Sequence, residues 1–129
     1  AGVNSSSKNY LALCFAPVAG YSAFGSYTGN GSADGPFVFC GFKPAFILIK
    51  RTSSSEQWPI WDDARDTANP ADNLLWANST SYDPNSIHDI DFLSNGFKVR
   101  GTHVMLNGSG DTYIFAAFAS HPFQTARAR

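Results

Sequence analysis

Apolar residues occur in short runs rich in aromatic and β-branched side chains, and clusters of Gly, Pro, Asn, Asp and Ser separate the runs. Runs of this length and spacing build sheets, so strands are expected near 9–16, 36–41, 45–51, 57–62, 73–77, 88–93, 97–100 and 112–119. The fold class that follows is all-β, an antiparallel, jelly-roll-like β-sandwich of about eight short strands. Residues 1–129 form one domain, because no stretch of linker composition divides them.

Punctuation between the runs is informative. Gly20 to Gly35 contains Tyr27-Thr-Gly-Asn-Gly-Ser-Ala-Asp-Gly35, too glycine-rich for regular structure, and is expected to be an ordered irregular loop. Ser94-Asn95-Gly96 lies between Ile90-Asp-Phe-Leu93 and Phe97-Lys-Val-Arg100 and signals a hairpin. Asn107-Gly-Ser-Gly-Asp111 is a looser turn before the last strand. Only Ala64 to Asp72 has room for a helical turn, and Pro59 and Pro70 bracket it.

Tyr10-Leu-Ala-Leu-Cys-Phe-Ala-Pro17 and Tyr113-Ile-Phe-Ala-Ala-Phe-Ala-Ser-His-Pro122 echo one another, and both are apolar on the two faces a strand would have. Strands of that kind are covered on each side, so 9–16 and 112–119 are expected as neighbours in a buried sheet. On that expectation Phe15→Ala and Phe118→Ala should each cost about 3–5 kcal/mol. The echo also fits a unit repeated head to tail in a longer parent chain.

With 43% hydrophobic residues, including 11 Phe, 5 Tyr and 3 Trp, the chain can fill a core without metal or disulfide staples. Net charge is -1 and like charges do not cluster, which argues against nucleic-acid binding and against an acidic membrane surface. No apolar run is long enough for a membrane span, and the first residues lack the regions of a signal peptide. A soluble domain is expected, either a processed product or part of something longer, since the sequence starts at Ala1.

No side-chain pattern points to catalysis or to a cofactor. Cys14 and Cys40 could form a disulfide in a secreted protein, but Cys14 aligns with Ala117 in the echo, so reduced, buried thiols are expected. His88, His103 and His121 show no metal-ligand spacing, and no serine sits in a Gly-x-Ser-x-Gly elbow. Asp62, Asp63 and Asp66, with Asp89 and Asp91, could in principle supply paired carboxylates, but the spacing of a recognised calcium loop is absent. Their expected work is to accept backbone hydrogen bonds in turns and to pair with Arg65. Trp58, Trp61 and Trp76 invite a sugar-stacking reading. Strand alternation puts Trp58 and Ile60 on one face and Trp61 on the other, with Trp61 the preferred exposed residue. The candidate contact residues are Trp61 and Tyr82, with Tyr27 and Asn30 from the glycine-rich loop.

Five stretches together carry a family resemblance: Gly25-Ser-Tyr-Thr-Gly-Asn-Gly-Ser-Ala-Asp-Gly-Pro-Phe-Val38, Gly41-Phe-Lys-Pro-Ala-Phe-Ile-Leu-Ile-Lys-Arg51, Asp62-Asp-Ala-Arg-Asp66, Ile90-Asp-Phe-Leu-Ser-Asn-Gly-Phe-Lys-Val-Arg100 and Thr112-Tyr-Ile-Phe-Ala-Ala-Phe-Ala-Ser-His-Pro-Phe123. The chain resembles a C-terminal-type domain of tailed-bacteriophage tail-fibre and virion structural proteins, often found after concanavalin-like lectin modules. The resemblance implies an extracellular virion component with no established catalysis, whose partners are other virion subunits, copies of itself or a host-surface glycan. It carries over no binding residue. Two readings of other classes stand beside it: a stand-alone carbohydrate-binding module, and a glycan hydrolase using Asp62 or Asp66 with Asp91.

Overall fold

The computed structural model describes residues 5–81 and 89–122. Eight strands and one short helix follow in order: β1 Ser22–Thr28, β2 Phe37–Phe39, β3 Pro44–Arg51, β4 Pro59–Asp62, β5 Leu75–Trp76, β6 Ile90–Leu93, β7 Gly96–Val99, α1 Val104–Asn107 and β8 Thr112–Ala119. They make two antiparallel sheets, of order β1-β8-β3-β4-β5 and β2-β7-β6. First strand pairs with last and second with next-to-last, the nested pairing that rolls a sheet into a jelly-roll-like sandwich. The fold is all-β, as the pattern of apolar runs implies.

The core lies between the sheets, and alternation decides who enters it. From the five-stranded sheet come Tyr27, Ile47, Ile49, Trp61, Tyr113, Phe115 and Ala117; from the other come Val38, Ile90, Phe92, Phe97 and Val99. Each fully buried aliphatic side chain of this kind contributes about 1.5–3 kcal/mol. Phe97 meets Tyr27 and Phe115 edge to face at 6.1 and 5.5 Å, while Tyr27 stacks on Tyr113 at 5.0 Å.

β1 falls inside the segment expected to be an irregular loop. It hides because its core-facing positions, Ala23, Gly25 and Tyr27, are mostly small. Gly25 lies opposite Phe115 in the β1–β8 register, and a Cβ there would come within 3.0 Å of the Phe115 ring, so the partner strand supplies the bulk that β1 lacks. With β1 in that place, 9–16 does not pair with β8 and is not a strand. It runs as a largely exposed strap.

The hairpin expected at Ser94-Asn95-Gly96 forms, with Leu93 opposite Gly96, so the turn is Ser94-Asn95 and Gly96 opens β7. No helix forms in 64–72; the single helical turn among the described residues is α1, started by the His103 ring nitrogen, which accepts from the Met105 amide at 3.3 Å.

Candidate functional site

Core-facing residues of β8 alternate with outward ones, and the same holds across the whole five-stranded sheet. Its outer face therefore collects Phe24 from β1, Ile114, Ala116 and Phe118 from β8, Phe46 and Leu48 from β3, Ile60 from β4 and Leu75 from β5. Phe118 is the centre of an aromatic cluster, with Phe24 and Phe46 each at 5.8 Å and Tyr21 at 6.1 Å. A sheet face facing water is normally polar; this one is built like half of a core.

The strap crosses this face and covers only part of it. Phe15 stacks on Phe24 at 5.5 Å and meets Phe118 edge-on at 6.2 Å. Beside it Leu13, Phe15, Phe24, Leu48, Trp58 and Ile114 line an open groove of about 470 Å³. Even in place, Leu11 is 87%, Leu13 72% and Phe15 64% exposed. Among the described residues, Lys50 is the one charged side chain lining the groove. Its ammonium lies 6.0 Å from the Trp58 ring and donates to the Arg51 and Ser54 carbonyls, each at 2.7 Å.

Other candidate residues are placed differently from expectation. Trp61 is fully buried, 0% exposed, opposite Ile47 in the β3–β4 register. Alternation along 58–61 is as expected, but it is Trp58 that faces out. The reason is the register: Ile47 and Ile49 point into the core, and a residue paired with Ile47 must follow it. Tyr27 is likewise a core residue, whose hydroxyl donates to the Leu106 carbonyl at 2.8 Å; burial pushes its phenol well above the usual range, with repulsion from Tyr113 adding to it. Tyr82 lies outside the described residues.

Asn30 is exposed, yet its polar groups are engaged by its own loop and by the buried Asn107. The Asn107 side chain accepts from the Asn30 amide at 2.7 Å and donates to Asn30 Oδ1 at 3.0 Å, to the Ser32 carbonyl at 2.7 Å and to the Gly101 carbonyl at 2.9 Å. Gly29 must be glycine here, because a Cβ would strike the Gly108 carbonyl. The part of the expected loop that β1 leaves irregular is thus held in place by a buried asparagine.

The aspartates do local work. Asp62 accepts from the Ala64 and Arg65 amides and pairs with the Arg65 guanidinium at 2.6 Å. Burial pushes its carboxyl up, but those hydrogen bonds and the Arg65 charge outweigh it and hold the group below the usual range. Asp66 holds Asn73, and Asp91 pairs with Arg100 at 3.3 Å. Asp89 differs: one oxygen is buried without a hydrogen-bond partner, and burial, with repulsion from Asp72 and Asp91, raises its carboxyl. Both cysteines are free. Cys40 is half-buried, which pushes its thiol up to about 11, whereas Cys14 is exposed on the strap, not buried as its echo with Ala117 suggests.

The outer face and its strap were not among the sequence candidates. Their signal is present, though: Phe46 and Leu48 interleave with Ile47 and Ile49, and Ile114 and Ala116 with Phe115 and Ala117, so both strands are apolar on two sides.

The model of the DUF7483 family, a domain of unknown function, matches residues 1–122. The chain belongs to this family. The match spans the strap and every strand, so both are parts of the DUF7483 domain. No curated protein and no solved structure matches the chain.

Proposed function

We propose that this DUF7483 domain is a virion assembly module of a tailed bacteriophage, a tail-fibre or surface piece that packs against a neighbouring virion subunit through the outer face of its five-stranded sheet. The family reading comes from the resemblance in sequence. The observation that carries assembly is the apolar outer face, with strap residues Leu11 and Leu13 in water. An apolar surface of this kind is stabilised when another protein covers it.

A glycan site needs convergent hydrogen-bonding groups beside an aromatic ring. Trp58 offers a ring, but the ammonium beside it is already engaged by two carbonyls. The hydrolase reading needs free carboxyls, and Asp62, Asp66 and Asp91 each hold a local partner. Assembly is therefore the better-supported reading.

Co-sedimentation with purified particles of the parent phage tests it, with Leu13→Asp and Ile114→Lys as variants on exposed positions. The unmodified domain should co-sediment, and both variants should lose that association while keeping their melting temperature within a few degrees. A domain that ignores particles but is retained on a glycan array would overturn the assembly reading in favour of carbohydrate binding.

A further inference from the structure

We infer that the free edge of β1 pairs with β1 of a second copy of this chain, antiparallel about Ser26, and joins two five-stranded sheets into one. This deepens the assembly reading and rests on it, by naming the partner and the element that meets it.

The first ground is how the sheet edges are protected. Exposed edges are normally blunted by shortness, charge, proline or a bulge. The other three edge strands are short: β5 has 2 residues, β2 has 3 and β6 has 4, the last carrying Asp91. β1 has 7 residues, Ser-Ala-Phe-Gly-Ser-Tyr-Thr, with no charge, no proline and an unbroken register against β8. Gly25 and Ser26 are exposed, so none of the described residues covers the middle of it.

The second ground is which groups the edge offers. Tyr21 and Gly29 bond towards β8, accepting from Ala119 at 2.8 Å and donating to Asp111 at 2.9 Å; alternation therefore turns the amides and carbonyls of Ser22, Phe24, Ser26 and Thr28 outward. Ser22 is used within the chain, exchanging 3.1 and 2.9 Å hydrogen bonds with Val18. Continued pairing would bring Ala16 against Phe24, but the Ala16 carbonyl accepts from the Ser22 hydroxyl at 3.2 Å and the strap turns away over the outer face. Phe24, Ser26 and Thr28 remain, spaced symmetrically about Ser26.

The third ground is that this strand is complementary to itself. A two-fold axis at Ser26 sets Phe24 against Thr28 of the second copy on the outer face, an aromatic facing a β-branched residue. On the inner face it sets Tyr27 against Gly25, large against absent, in both directions. Nothing charged meets its like. The joined sheet would also place the two apolar outer faces side by side, continuous through Phe24.

The test is a cross-link that only this symmetry permits. Residues in a hydrogen-bonded antiparallel pair stand about 5.5 Å apart at Cα, inside the range a disulfide spans. Ser26→Cys, made with Cys14→Ser to remove the exposed thiol, should form a disulfide-linked dimer under mild oxidation. Sedimentation equilibrium of the unmodified protein should show a dimer, and Ser26→Lys should weaken it by at least about tenfold, because like charges would face each other across the axis. A strictly monomeric protein overturns the inference. So does a dimer that Ser26→Lys leaves intact and Ser26→Cys cannot lock. If that dimer is broken by Ile114→Lys instead, assembly through the outer face stands and only the edge pairing is lost.

Discussion

Residues 10–16 and 113–119 share an apolar pattern, with Tyr, Phe and Ala at matching places, and have opposite surroundings. The later copy is the centre of a sheet, hydrogen-bonded to β1 on one side and β3 on the other, with Tyr113, Phe115 and Ala117 in the core. The earlier copy is not a strand and pairs with none among the described residues, lying instead on the outer face. Their tyrosines show the difference. Tyr113 donates to the Val104 carbonyl and accepts from the Gly108 amide at 2.7 Å, tying α1 to the sheet; the Tyr10 hydroxyl accepts from the amide of Ser5, five residues away, at 2.9 Å. Even the echoed phenylalanines meet, Phe15 against Phe118, one over the sheet and one part of it. An apolar run says that a segment wants cover; which cover it finds is set by the strands that compete for the same edge.

The largest effect should come from the β8 side of that comparison. Phe115→Ala removes a buried ring that packs on Phe97 and fills the space over Gly25, and should cost about 3–5 kcal/mol in chemical denaturation. Its counterpart in the strap is already an alanine, Ala12. A loss below about 1 kcal/mol would mean that β8 is not the centre of the fold.

Tyr113→Phe keeps the ring and deletes only the hydroxyl, leaving the Val104 carbonyl and Gly108 amide without their partner. Orphaned groups of this kind cost about 1–3 kcal/mol. Tyr10→Phe, at the matching place in the exposed strap, should change stability by less than about 0.5 kcal/mol. Equal losses in the two variants would erase the distinction between the copies.

These contrasts also explain what was legible in the chain. Seven of the strands coincide with apolar runs, because β3 and β8 are apolar on both faces and β6–β7 brackets a turn of small polar residues. β1 was not legible, since its apolar contribution to the core is made by Phe115 across the ladder from Gly25. Trp61 is buried where exposure is expected, because alternation fixes which residues share a face but not which face is inside. The site was half-legible for the same reason: two-sided apolarity was visible in 9–16 and 112–119, while its meaning, an outer face without full cover, depends on layers that no local pattern encodes. Asn107 looks in sequence like part of a turn and no more, because its order-making contacts with Asn30 and Ser32 lie 77 and 75 residues away.

Acidity probes the sandwich separately from the strap, which carries no carboxylate between residues 5 and 18. Asp89 is raised by burial first and by Asp72 and Asp91 second, so folding favours its protonated form. Its contribution is fully present below the ordinary aspartate value of about 3.9 and is lost as pH rises through the raised value. Asp89→Asn should therefore be more stable than the unmodified protein at neutral pH, and the advantage should vanish on acidification below about 3.9. Thermal melts across a pH series read this directly. A variant that is less stable at pH 7 would show that the buried oxygen has a partner.

A small stability change is expected at Phe15 too, and it is the most informative about the strap. At 64% exposure the ring has little burial to lose, so Phe15→Ala should cost below about 1 kcal/mol, well short of the 3–5 kcal/mol that a place in a buried sheet implies. Its stacking on Phe24 lies beside the β1 edge, however, and the same variant should loosen the strap where a neighbouring subunit would meet it. Stability and association should then separate: denaturation nearly unchanged, co-sedimentation with particles weakened. If Phe15→Ala unfolds the domain, the strap belongs to the core after all, and the two echoing segments do not have opposite fates.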